Sequence, residues 1–423
     1  METPVTTFSE GPEDPFAVRR AASAVLDDRG IVIGWSERAE ALLGYPSKEV
    51  LGRAALGFLV EAHDNDVVME AAAVCVRDRA DGGPDWFDVI PLSGLRVALV
   101  VGDVVGHGIH AAATMGRLRT AVHTLANLDL TPDEVLSHLD DLVDRLAAEQ
   151  EPTDERSPQV VGATCLYAVY DPVTRHCALA RAGHPPPAAV TPNGQVHLLD
   201  VPAGPPLGLG GLPFEAAELQ LAEGSLLALY TDGLIQGHKR DVVESLAVLC
   251  GALAVPARSL EETCKAVEGA LLHDRPAEYV ADDVALLIAR TRVLAAEKVA
   301  TWELPVEATA AARARTLTAS QLAAWGLEEM GFTTELIVSE LVTNAYRYGG
   351  GPIVLRLIRD GRLICEVSDA ASTSPHLRRA RTTDEGGRGL FLVAQLTERW
   401  GTRYTREGKT IWTEQGLSSA SAP

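Results

Sequence analysis

The sequence has no pair of cysteines at CxxC spacing and too little basic charge to balance its acidic side chains. It also has no apolar run approaching the roughly 20 residues that a membrane span requires. Each absence excludes something. The six cysteines (Cys75, Cys165, Cys177, Cys250, Cys264, Cys365) are scattered and mostly sit in apolar runs. They read as buried free thiols in a reducing cytoplasm rather than as a disulfide framework. The shortage of Lys and Arg, 37 against 58 Asp and Glu, leaves a formal charge of -21. That argues against general binding to nucleic acid or to an anionic membrane, both of which need basic surface. The opening residues, METPVTTFSEGPEDPF, are polar and acidic, without the apolar stretch of a signal peptide.

What is present is the composition of a soluble globular protein, 47% hydrophobic and 22% charged. At 423 residues the chain exceeds one ordinary core and is expected to form two or three domains.

The most informative stretch runs from Asp85 to His107, DWFDVIPLSGLRVALVVGDVVGH. Leu95 to Val101 has the length and branching of a buried strand. Val89 to Leu92 reads as the strand before it, and Ser93-Gly94 as the turn. A hairpin of this kind brings Asp85 and Asp103 to one end. Carboxylate, backbone carbonyl and water are the ligands that Mg²⁺ and Mn²⁺ prefer. An ordinary hairpin with polar ends is the simpler alternative.

In chain order, residues 1–18 read as a disordered leader. Ala24 to Leu26 and Ile31 to Ile33 form a hairpin around Asp27–Gly30, and short helices follow from Glu37 and after Ser47. From about 68 the pattern is α/β. Met69 to Arg77 is an expected strand and His110 to Leu128 a helix. Thr131-Pro132-Asp133-Glu134 opens a second helix as a capping box with Pro at the first helical position. Strands are expected at Gly162 to Tyr170, Cys177 to Ala182, Ala188 to Val190, Ser225 to Tyr230 and Val284 to Ala289, with a helix capped at Ser259. Asp103 and Asp232 follow strands, and Asp282-Asp283 precede one. One such Asp usually means a turn; four next to apolar strands, with Asp85, suggest carboxylates gathered around a cation.

DWFDV, VVGDVVGHG, ARAGHPPP, PLGLG, LALYTDGL and ADDVALLIAR, in this order, resemble the PPM-type metal-dependent serine/threonine phosphatases, above all their SpoIIE-like branch. The resemblance covers about residues 68–292. It implies an αββα sandwich with two Mn²⁺ or Mg²⁺ ions at one end of the sheets. Asp85 would bridge the metals. Asp103 and the Val104 carbonyl would bind one of them, and Asp232 and Asp282 would complete the other site, with Asp283 close by. Asp88 is a candidate for the surrounding shell, and His107 and His184 are candidates for packing or hydrogen bonding. Where the family has Gly-Gly directly before the bridging Asp, this chain reads Gly82-Gly83-Pro84-Asp85; Pro84 fixes φ and removes an N–H beside that ligand.

A second α/β domain is expected from Trp302. Thr309 to Trp325 reads as a helix, and Thr333 or Thr334 as the cap of the next. Glu340 and Asn344 share a face of that helix at i, i+4. Strands are expected at Ile353 to Ile358 and Leu363 to Ser368, a helix at Leu390 to Leu396, and a closing hairpin over Arg403–Tyr404 and Lys409–Thr413. Glu340-xxx-Asn344, the strand ending Val367-Ser368-Asp369, and Gly387-Arg388-Gly389 before a helix resemble the Bergerat-fold (GHKL) ATPases, in particular the anti-sigma-factor serine kinases. The resemblance implies ATP with Mg²⁺: Asn344 on the metal, Glu340 as general base, Asp369 on the adenine amino group, Gly387 and Gly389 beside the phosphates. The opening DDRGIVIGWSERAEALLGYPSKEVLGR resembles a PAS domain.

The expected layout is a leader over 1–18, a truncated PAS-like segment over 19–66, and a phosphatase domain over 67–293. A linker over 294–300, an ATPase-like domain over 301–416 and a tail over 417–423 follow. The expected function is a cytoplasmic protein phosphatase of a partner-switching pathway with a kinase-like module. Its partner would be a phosphorylated anti-sigma-factor antagonist; a sigma factor is a second partner the resemblance admits, as it admits a homodimer. The alternative is a phosphatase weakened at Pro84, acting as an ATP-gated binding switch.

Overall fold

The structure is a computed structural model. It describes residues 24–26, 32–35, 69–76, 85–106, 109–149, 162–210, 213–236, 240–257, 259–272, 283–371, 389–405 and 408–417. The chain divides into two units, Met1–Asp64 and Asn65–Pro423. In the first, β1 (Ala24–Leu26) and β2 (Val32–Trp35) pair antiparallel as the expected hairpin. The short helices expected after it lie outside the described residues.

The second unit begins with β3 (Met69–Val76), β4 (Trp86–Pro91), β5 (Val97–Val104), α1 (Ile109–Ala126) and α2 (Pro132–Glu149). There follow β6 (Ala163–Tyr170), β7 (His176–Ala182), β8 (Ala188–Val190), β9 (Val196–Leu198), β10 (Ala203–Gly204), β11 (Ala217–Gln220) and β12 (Leu226–Tyr230). After them come α3 (Val242–Leu253), α4 (Leu260–Leu271) and β13 (Val284–Thr291). One sheet has the order β10-β7-β6-β5-β4, with β11 also paired to β7; the other has the order β3-β13-β12-β8-β9.

Side-chain alternation along β5 shows why these sheets stack. Val97, Leu99 and Val101 face the second sheet, meeting Leu227, Leu229, Ala285 and Leu287. Ala98 and Val100 face the other way, onto Leu118, Val122, Leu136 and Leu139 of α1 and α2. A strand buried on both sides has no polar face, hence the unbroken apolar run. On the far side, Tyr230, Leu286 and Ile288 meet Leu249, Leu253, Leu260 and Val267 of α3 and α4. Each fully buried Leu or Val contributes about 1.5–3 kcal/mol. The result is the expected αββα sandwich.

Local signals set the helix starts. The Thr131 N–H donates to Glu134 Oε2 at 2.9 Å. Ser259 Oγ accepts from the Glu262 N–H. Asp241 caps α3 by accepting from the Glu244 N–H at 2.7 Å.

The last layer comprises β14 (Val299–Leu304), α5 (Ala310–Trp325), α6 (Gly331–Tyr348), β15 (Ile353–Asp360), β16 (Arg362–Asp369), α7 (Gly389–Leu396), β17 (Arg399–Thr405) and β18 (Gly408–Gly416). Its sheet order is β14-β15-β16-β18-β17. Leu355, Leu357, Cys365, Val367 and Ile411 face the helices and meet Leu322, Leu341, Val342 and Val393. Helix α6 does not start at a Thr333 or Thr334 cap. A 3-10 turn, Glu328–Met330, runs directly into it, so both threonines lie inside the helix. The Thr334 hydroxyl instead donates to Gln415 Oε1 at 3.1 Å.

Candidate functional site

The two stacked sheets converge on Asp85. Trp86 pairs with Gly102 at the end of the β4–β5 ladder, so Asp85 and Asp103 face each other one step further on. Asp103 is the penultimate residue of β5, inside the strand, and the buried Val104 closes it. The Asp85 and Asp103 side chains are hydrogen-bonded, and Asp283, buried just before β13, adds its charge. From the other sheet, the Thr231 hydroxyl donates to Asp85 Oδ2 at 2.7 Å. The Thr231 hydroxyl oxygen in turn accepts the Ala285 N–H at 2.9 Å. Thr231 therefore ties the ends of β12 and β13 to the hairpin of the first sheet; sequence reading did not single it out.

Burial first, and then the Asp103 carboxylate, push the Asp85 carboxyl up to about 10; Asp283 adds to the rise and the Thr231 hydrogen bond offsets part of it. Asp232 begins the 3-10 turn Asp232–Leu234 after β12, half-buried, and its Oδ2 accepts from Gln236 Nε2 at 3.1 Å. Among the described residues no three His, Cys, Asp or Glu already stand at ligand spacing. Asp282, Pro84 and His107 lie outside those residues. The donor set fits a hard divalent cation: carboxylates brought together against their repulsion, with the carbonyl end of β5 beside them.

Residues near this end have structural partners. Asp88 lies within β4 and accepts two hydrogen bonds from Arg119, at 2.7 and 2.8 Å, with His123 Nε2 3.2 Å away. Burial alone would raise the Asp88 carboxyl; the hydrogen bonds from His123 and Arg119 outweigh it and hold it below the usual carboxylate range. His184 is buried, with Nδ1 2.8 Å from Thr164 Oγ1, and Thr164 is the register partner of Asp103. Burial drives its imidazole down to about 3, with the Tyr230 backbone offsetting a part. Cys165 is a core residue: burial pushes its thiol up to about 12, which leaves no thiolate to act as a nucleophile.

In the C-terminal layer, Glu340 and Asn344 lie half-buried on α6. Gly389 opens α7 against the Glu340 carboxylate, and a side chain there would overlap it. Asp369 ends β16 and is buried. Its Oδ1 accepts from the Ala371 N–H at 2.9 Å and from Lys409 Nζ at 3.0 Å. Lys409 is its register partner on β18, and sequence reading did not find it. Gly349, just after α6, packs on the same carboxylate. Gly387 lies outside the described residues.

Residues 93–292 match the family model of stage II sporulation protein E (SpoIIE). Residues 297–414 match the histidine kinase-like ATPase domain, and residues 20–87 the PAS fold. The PAS match runs beyond residue 66 and overlaps β3 and β4, which pair in the two sheets of the sandwich. The phosphoserine phosphatase RsbP of Bacillus subtilis (strain 168) is 28% identical over 152 residues, 36% of this chain and 36% of that protein. The chain thus spans about a third of the length of this curated relative. Among solved structures, the RsbU and RsbW domains of Rv1364c from Mycobacterium tuberculosis are 28% identical with a TM-score of 0.45, over 83% of this chain and 96% of that one. The PP2C phosphatase domain of SpoIIE from Bacillus subtilis, with a fragment of its regulatory domain, is 16% identical with a TM-score of 0.42, over 54% and 64%. By these matches residues 93–292 are similar to the SpoIIE family and residues 297–414 to the histidine kinase-like ATPase domains, in a chain that also carries a PAS match.

Proposed function

We propose that this chain is a metal-dependent protein serine/threonine phosphatase of a partner-switching pathway, joined to an ATP-binding, kinase-like module. The observation that carries the reading is the meeting of Asp85, Asp103 and Asp283 at one end of the sandwich, held by Thr231. Carboxylates gathered in a buried place need a proton or a cation to balance them; the raised Asp85 value reflects the proton's part in the metal-free chain, and a divalent cation would replace it. Asp85 would bridge two Mn²⁺ or Mg²⁺ ions. Asp103 and the Val104 carbonyl would hold one, and Asp232 and Asp282 the other. Bound there, the metals supply an activated water and a clamp on the phosphoryl oxygens. The protein's part is to fix the carboxylates and to hold Asp85 ionised once the cations arrive. Thr231 does so by donating to Oδ2 rather than accepting from it.

In the second module Asn344 would hold Mg²⁺, Glu340 would take a proton from a partner's serine, and Asp369 would accept from an adenine amino group. Gly387 and Gly389 would let backbone amides approach phosphate at the start of α7. The substrate is a phosphorylated anti-sigma-factor antagonist, and the setting is the cytoplasm.

The test is phosphate release by the full chain with Mn²⁺, on p-nitrophenyl phosphate and on a phosphoserine peptide. Release should be metal-dependent and fall at least about a thousand-fold in Asp85→Asn. Equal release by Asp85→Asn and the parent chain would remove the metal mechanism.

A further inference from the structure

The hairpin that ends in Asp85 and Asp103 has a second end, and that end rests on another layer. The 3-10 turn Ser93–Leu95 between β4 and β5 meets the face of the β14–β18 sheet that points away from its helices. Asp129, in the turn between α1 and α2, is the hub. Its carboxylate accepts from Ser93 Oγ at 2.8 and 3.0 Å, from Arg96 Nη2, and from Trp412 Nε1 at 2.8 Å. Arg403 of β17 donates to Glu366 Oε1 at 2.6 Å and reaches Ser93 Oγ at 3.4 Å. Glu366 Oε2 takes a further contact from Arg356 Nη1 at 3.3 Å.

Apolar contacts flank this network. Leu95 and Val173 pack on Leu294, Ile358 and Ile364. The connecting segment is tied down as well: Tyr170 Oη donates to the Arg292 carbonyl at 3.1 Å, and the Leu294 N–H to the Pro172 carbonyl at 3.1 Å. Lys298 pairs with Asp360 at 2.6 Å.

Backbone conformation points to the same place. Among the described residues, the non-glycine positions with positive φ are Leu95 (63°), Asp129 (56°) and Arg175 (62°). Leu95 and Asp129 make the contacts above, and Arg175 closes the turn that presents Val173. Such conformations persist where the surroundings over-determine them. Gly94, at φ +68°, backs onto Glu366 and Arg403 so closely that a side chain would overlap both.

We propose that this sheet face is a dedicated interface within the chain, so that the phosphatase-family and ATPase-like modules unfold as one cooperative unit. The Asp129–Arg96–Arg403–Glu366 network would hold them, with the β4–β5 hairpin as the docking element. Opposite charges are matched here, Arg96 and Arg403 against Asp129 and Glu366. Each pair lies within one module, so separating the modules would leave the pairs in place but break the Trp412–Asp129 and Arg403–Ser93 hydrogen bonds that cross the junction, and would uncover the apolar flank. The proposal does not depend on the metal or nucleotide assignments.

The test is calorimetric unfolding of the full chain, with limited proteolysis of the segment 292–298. The parent chain should show one transition for the two modules and resist cleavage in that segment. Arg403→Glu should split the transition, by roughly 10 °C, and expose the segment. Ser93→Ala with Trp412→Phe, which removes the two hydrogen bonds across the junction and leaves the Arg403–Glu366 pair in place, should also separate the transitions at least in part, a result that misfolding at the Arg403–Glu366 pair would not give. If Arg403→Glu fails to fold, Trp412→Phe, which removes one donor to Asp129, should lower the junction's transition by a few degrees. Separate transitions in the parent chain would overturn the proposal, as would a single unchanged transition in Arg403→Glu or no shift in Trp412→Phe.

Discussion

Two clusters of buried ionisable groups sit at opposite ends of the β4–β5 hairpin, and they differ in sign balance. At one end Asp85 is faced by Asp103 and Asp283. At the other, Asp129 is faced by Arg96 and the Trp412 indole, and Glu366 by Arg403 and Arg356. The matched cluster explains itself: charge meets charge, and the product is an interface. The carboxylate cluster has no such internal partner for Asp85 among the described residues; its carboxyl is raised to about 10 by burial and by Asp103 and so keeps its proton unless a cation replaces it. The buried Asp369–Lys409 pair is of the first kind. Balance, rather than burial, separates groups that hold a fold together from groups that wait for a ligand.

Substitutions at each end should break this contrast in opposite senses. Asp85→Asn should cost at least about a thousand-fold in Mn²⁺-dependent phosphate release, or ~4 kcal/mol of transition-state stabilisation. It should also raise the melting temperature of the metal-free chain, because folding no longer has to protonate the buried Asp85 carboxyl, which is ionised in the unfolded chain at neutral pH. A lower melting temperature would mean that Asp85 is structural. Arg403→Ala should have the reverse character, with a loss of about 3 kcal/mol in denaturant unfolding as Glu366 loses a partner.

Thr231→Val probes the join between the sheets. It removes the donor to Asp85 and leaves the Ala285 N–H without its hydroxyl acceptor. The expected loss is about 2 kcal/mol in stability and roughly 10–100-fold in Mn²⁺ affinity. Retained affinity would show that Thr231 serves packing alone.

The smallest effect concerns pH. The folded-state value of His184, about 3, lies well below the ordinary histidine value. Below about pH 6.5 the unfolded chain therefore binds a proton that the folded chain does not. Stability from this residue is complete above that value and falls as the pH drops towards the folded value. Between pH 5.5 and 4.5 the loss is about 1.3 kcal/mol. His184→Gln should flatten that slope in urea titrations at the two pH values; an unchanged slope would assign it to other groups.

Much of this was legible in the sequence because it is local. The double-sided apolar run of β5, the Thr131 and Ser259 caps and the Glu340–Asn344 spacing all depend on neighbours within a few positions. Helix α3 escaped notice although Asp241-Val242-Val243-Glu244 carries its cap, as the Asp241–Glu244 hydrogen bond shows. What could not be read is set by register between distant strands. Lys409 reaches Asp369 from 40 positions away, Thr231 reaches Asp85 from 146, and Trp412 reaches Asp129 from 283. Apolar periodicity says which face a residue occupies, not which residue of another strand it will meet.

The most direct measurement is the melting temperature of the full chain with and without Mn²⁺, for the parent and for Asp85→Asn. If the like-charged cluster is a metal centre, Mn²⁺ raises the parent's melting temperature, and Asp85→Asn starts higher and responds little. A parent chain indifferent to saturating Mn²⁺, or an Asp85→Asn variant that responds equally, would contradict the account.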